Sequence, residues 1–248
     1  MNAGHAAATL AATLGFCWAL APSRPRPLEA RFGRRTMVSI AGGAAVAYVF
    51  VGLAPEVQAA GTSFREATTQ FGLRFLRYGV NFMTMLGFLF FYGMDQLVMR
   101  ELAGERRDGH AQGEASRLFV VHIVVFAAYA WVVTHLLAES HGQLSPRLVF
   151  YAVAMALHFV SVGNTLRHEH GERYEKQGFR VLVAACSLGW LSGMTLTLPR
   201  PVLDLLLGLV AGGVMANIVI SELPRERQGH VVPFLLGALV YAGLLLLA

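Results

Sequence analysis

Charge is scarce in this sequence, lysine scarcer still, and cysteine nearly absent. Asp, Glu, Lys and Arg make up 14% of the 248 residues, where a soluble domain carries about 25%. The deficit excludes a large water-soluble core and points to a polytopic membrane protein. Of the 20 basic residues only Lys176 is lysine. It falls between apolar runs, so no retinal Schiff base can form inside a span. Cys17 and Cys186 each sit alone within an apolar run, which excludes a disulfide framework and a thiolate metal centre. No low-complexity tract and no soluble domain stands out, so residues 1–248 read as one membrane domain.

What is abundant is apolar: 55% of residues are hydrophobic, with a mean hydropathy of +0.53. About 20 such residues cross a bilayer. Spans are predicted at residues 6–20, 37–54, 75–99, 118–137, 149–166, 179–198, 202–220 and 231–248. The first stretch lacks the basic leader of a signal peptide and reads as a retained span, with cleavage as the alternative. Pro199-Arg200-Pro201 makes a tight turn between the sixth and seventh, because proline resists continuing a helix.

The formal charge of +5 lies between the spans. Fifteen of the 20 basic residues fall in odd-numbered loops. The positive-inside rule then puts those loops in the cytoplasm and both termini outside a cell membrane. Read as orientation signals, these residues imply no nucleic-acid partner. The expected partner is the lipid bilayer, and a second copy of the chain, a homodimer, is a further candidate.

The central stretch is 149–167, VFYAVAMALHFVSVGNTLR. His158, Ser161, Asn164 and Thr165 share one helix face, and the opposite face is apolar. A polar stripe in lipid must face protein or water, which places this helix at the centre of a bundle. An internal echo flanks it. Ala41-Gly42-Gly43 precedes Pro55-Glu56 in the second span, much as Ala211-Gly212-Gly213 precedes Pro224-Arg225-Glu226 in the seventh. Five spans apart, these helices would cross in opposite directions, as in an inverted repeat of spans one to three and six to eight around a central pair. Common Gly-Gly pairs and terminal prolines are the plainer explanation. Gly208-x-x-x-Gly212 also permits close helix contact.

The stretches MVSIAGGAAVAYVFVGLAPE, GFLFFYGMDQLV and AGGVMANIVISELPRE resemble the second, third and seventh helices of the ZIP family of divalent-metal transporters. The resemblance implies an all-α fold of eight transmembrane helices in a 3+2+3 bundle with an inverted repeat. It also implies transport of a divalent metal such as zinc. The family carries its ligands as His-Asn then Asp on the fourth helix and His-Glu-x-x-His-Glu on the fifth. Here only His122 and His158 match the leading histidines. Phe159, Val162 and Gly163 stand where further ligands would fall, so the family's two-metal site does not carry over.

Two readings of the histidines therefore stand. His122 and His158, with Ser161 and Asn164, are candidate metal ligands on the central pair. Alternatively each is a buried helix-to-helix contact worth about 1 kcal/mol. His168, Glu169, His170 and Glu172 form a candidate cytoplasmic metal cluster, or else a solvated, self-paired loop. Asp95 and Glu222 are candidates for an exit-side ion site, Glu56 reads as an interfacial anchor, and Asp204 meets its helix dipole. His135 and His141 read as interfacial, and His110 stands alone in its loop. An intramembrane zinc hydrolase would need three histidines and a water-activating group at one depth, so no enzyme is expected. The leading function is a divalent metal or small-solute permease. The alternative is a non-transporting ZIP-like membrane protein acting through residues 100–117 and 167–177.

Overall fold

Apolar runs in lipid become helices because every backbone polar group must find its partner within the segment. The computed structural model describes residues 3–22, 33–70, 76–108, 112–139, 146–222 and 230–247, and among these there is no strand. The helices are α1 (Ala3–Leu20), α2 (Arg34–Ala47), α3 (Ala54–Gln70), α4 (Gly79–Asp108), α5 (Gln112–Glu139), α6 (Pro146–Arg173), α7 (Phe179–Thr195), α8 (Arg200–Asn217) and α9 (Val231–Leu246). Six helical stretches are long and apolar enough to cross a membrane, and α9 is a shorter apolar helix. The protein is thus an all-helical, multi-pass membrane protein. His110, His141 and the side chain of Glu222 lie outside the described residues.

Two local features depart from the sequence expectation. The second span was expected to stop at Ala54, yet helix continues through α3 to Gln70. A π-helical segment, Tyr48–Leu53, precedes Pro55, and the Ala54 amide bonds back to Val49. The wider π register absorbs the proline that would otherwise end the helix. A second π segment, Ile218–Glu222, follows α8. Each of these π segments begins five residues after the second glycine of its Ala-Gly-Gly motif.

The other feature is Gly171, whose φ of 52° and ψ of −128° interrupt a 48-residue stretch, Leu148–Thr195. A straight helix of that length would run about 72 Å, over twice a bilayer core. The chain instead folds back. Helix α5 meets α6 head to tail, with His122 beside His170 and Tyr129 beside His158. It meets α7 in parallel, with Ile123 beside Gly178 and Thr134 beside Gly189.

Glycine sets the closest packing. A Cβ at Gly43 would fall on the Phe234 carbonyl and the Ala238 amide of α9, and one at Gly237 on the Ile40 carbonyl. In the second pair, a Cβ at Gly212 would fall on the Thr84 carbonyl and the Phe88 amide of α4, and one at Gly87 on the Leu209 carbonyl. The spacing is the same in both pairs, α2 with α9 and α8 with α4, and both pairs run parallel. Gly189 and Gly193 of α7 do the same work against Trp131 and His135 of α5.

The helices sort into two bundles by these contacts. One holds α1, α5, α6 and α7, and the other α2 with α3, α4, α8 and α9. Between them the contacts include aromatic edges: Phe91 on Phe126 and Tyr129, Tyr48 on Tyr151, and Phe150 on Tyr241. Outward-facing Phe82, Leu89, Phe90, Leu235 and Leu239 are exposed, as a lipid-facing surface requires.

Gly212→Val should destabilise the protein by about 1–3 kcal/mol or more, since overpacking here meets backbone rather than a yielding side chain. Gly15→Ala, with nothing within 4 Å of the added carbon, should be near neutral. Thermal unfolding of both variants in detergent checks this.

Candidate functional site

Helix α6 presents one buried face, with Met155, His158, Phe159, Val162 and Leu166 inside and Val149, Val153 and Leu157 outside. Of the polar stripe, His158 turns inward, while Ser161, Asn164 and Thr165 are half-buried. His158 is bonded on both ring nitrogens. Its Nε2 lies 3.0 Å from the Tyr129 hydroxyl of α5, and its Nδ1 lies 3.4 Å from the Asn217 amide nitrogen of α8. An amide donating to Nδ1 leaves the ring proton on Nε2, which then donates to the tyrosine oxygen. The contact to Asn217 crosses from one bundle to the other.

His122 is not part of that network. It sits two helical turns from Tyr129 on α5, about 10 Å along the axis. Its Nδ1 lies 2.9 Å from His170 Nε2 and 3.5 Å from Glu169 Oε2. The ligand atoms of His122, Glu169 and His170 all lie within 4.8 Å of one another. The residue that the sequence paired with His158 thus joins two residues assigned to a cytoplasmic loop. The physical reason is that α6 stays helical to Gly171, carrying Glu169 and His170 back against the start of α5.

The remaining candidates take other places. Ser161 and Asn164 are half-buried on α6 and are not among the residues that line the pocket beside His122. His168 is exposed. Glu172 is exposed and paired with Lys176 at 2.7 Å, so the self-paired reading describes it well. Asp95 of α4 and Asn217 of α8 line the pocket with His122 and Glu169. Four helices from both bundles therefore converge there.

The chemistry of this cluster is that of a cation site. Two imidazole nitrogens and a carboxylate oxygen point at one small volume. Ligands about 2.0–2.1 Å from a tetrahedral ion stand roughly 3.3 Å apart, and the two distances above bracket that separation. The Glu169 side chain is 5% exposed, yet its Oε2 has no hydrogen-bond partner. A buried carboxylate oxygen in that condition is costly unless a positive charge joins it.

Sequence reasoning missed the burial of a further histidine. His135, expected at an interface, is fully buried. Its Nδ1 lies 2.9 Å from Ser192 Oγ, and its Nε2 lies 2.9 Å from Glu139 Oε2. Glu139 Oε1 in turn accepts the Leu198 amide at 3.0 Å. This group fastens α5 to α7 and to the extended segment before α8. The i,i+4 spacing of His135 and Glu139 was the available signal.

No protein-family model matches the chain, and no curated protein matches it. Fold and site together define a helical membrane protein with a part-buried His-Glu-His cluster in one helical bundle, beside a pocket lined from both.

Tyr129→Phe should cost roughly 0.5–1.5 kcal/mol, the usual worth of one hydrogen bond, and should leave the His122 cluster intact. Chemical denaturation, read beside metal content of the purified variant, checks both halves of that expectation.

Proposed function

We propose that the protein is a ZIP-like permease that carries a divalent metal cation across a cell membrane. The observation that carries this reading is the convergence of His122, Glu169 and His170 on one point, in a pocket shared by both bundles. Imidazole with carboxylate suits zinc and similar borderline ions better than magnesium or calcium, which prefer all-oxygen shells.

The packing supports the finer topology. The 48-residue stretch turned back at Gly171 counts as two passes, and with α9 the passes total eight. The matched glycine contacts of α2 with α9 and α8 with α4 fit an inverted repeat around a central pair, α5 and α6. Parallel contacts between spans of like parity agree with the same count. The basic loops then lie in the cytoplasm, both termini lie outside, and the cluster sits toward the cytoplasmic end.

Transport would proceed by alternating access. Glycine contacts make each bundle a rigid body, while the aromatic edges between bundles are surfaces that can shift. The Asn217–His158 contact is a latch that such a shift would break.

Zinc uptake into vesicles holding the reconstituted protein tests the proposal. His170→Ala and Glu169→Gln are expected to reduce uptake by about tenfold or more, since each removes a ligand from the site. His158→Ala should reduce it less, through the latch. Uptake unchanged in His170→Ala would overturn the cluster as the transport site. No flux of zinc, cobalt, cadmium or manganese would instead support the non-transporting alternative.

A further inference from the structure

The three-residue cluster is one ligand short of a tetrahedral shell, and all three residues belong to a single bundle. From the other bundle, Asp95 of α4 lines the same pocket as His122 and Glu169, although its carboxylate is not among the ligand atoms that lie within 4.8 Å of one another. Asp95 is half-buried and acts electrostatically on Glu169.

We infer that one divalent cation is held by His122, Glu169 and His170 from one bundle and Asp95 from the other, and that its binding clamps the bundles together. This rests on the cation-site reading above and adds a ligand and a consequence to it.

Charge explains why the ion is divalent. Two carboxylates facing one pocket repel in a medium of low dielectric. A divalent cation with two neutral imidazoles and two carboxylates leaves the site uncharged. A monovalent ion would leave one negative charge buried, which is strongly disfavoured. Two nitrogens and two oxygens also match the donor set of zinc or cobalt. Because the fourth ligand comes from the opposite bundle, a loaded site resists their separation and an empty one does not.

The full chain in detergent, titrated with zinc by calorimetry and with cobalt by visible absorption, tests this. Wild type should bind one ion per chain and give the intense cobalt spectrum of four-coordinate geometry. Asp95→Asn should weaken zinc about tenfold to a hundredfold and change the cobalt spectrum. Asp95→Glu, which keeps the charge, should retain most of the affinity and shows that the position tolerates change. Spin labels at Met99→Cys on α4 and Val120→Cys on α5, with Cys17→Ser and Cys186→Ser, should show a narrower distance distribution when zinc is added. That narrowing should vanish with Asp95→Asn. If Asp95→Asn binds zinc like wild type while His122→Ala abolishes binding, the clamp is overturned and the three-ligand site stands. If His122→Ala binds zinc like wild type, the cation-site reading itself falls, and the clamp with it.

Discussion

Backbone meeting backbone at glycine is the contact on which this structure depends. In lipid there is no hydrophobic force to press helices together, so association rests on dispersion and on how closely main chains approach. Gly43, Gly87, Gly212 and Gly237 let α2 lie on α9 and α8 on α4 with carbonyls where side chains would stand. Gly189 and Gly193 do this for α5 and α7. The pairs α2 with α9, α4 with α8 and α5 with α7 are therefore held by contacts that have few alternative arrangements.

Part of the buried polar set sits where that rigidity ends. His135 and Glu139 lie inside one bundle, but between the bundles the close glycine contacts give way to aromatic edges, and a further set of polar groups gathers there. His158 bridges Tyr129 and Asn217, while Tyr241 donates to the Phe150 carbonyl. The His122 cluster opens onto the same seam. A polar group buried in lipid costs free energy unless paired, and a seam between two bodies gives each group partners from both sides. Such a seam is also the place where a bound ion can sense the relative position of the bodies.

Irregular backbone places the site. The π segment at Tyr48–Leu53 lets helix continue past Pro55 to Gln70, and a second, Ile218–Glu222, follows α8. Such segments are common beside functional sites. The second of them carries Ile220 into the pocket wall. Gly171, with its positive φ, takes a backbone conformation that other residues rarely adopt. Its position just after His170 lets α6 bring Glu169 and His170 to the start of α5 before the chain reverses.

By itself the sequence determined the solvent, the helical class, the approximate limits of most spans and the inward face of α6. Each follows from local quantities: length of apolar run, spacing of polar residues and placement of arginine. It also held the Ala-Gly-Gly echo that the packing repeats. Tertiary structure alone decided which histidines meet. His122 and His158 lie on neighbouring helices, but antiparallel packing sets His122 opposite His170 and Tyr129 opposite His158. The extension of helix beyond Leu166 and the arrival of Asp95 from another bundle were equally invisible. Partners that are 48 residues apart, as His122 and His170 are, are fixed by helix register and by where the chain turns back, and no local pattern records either.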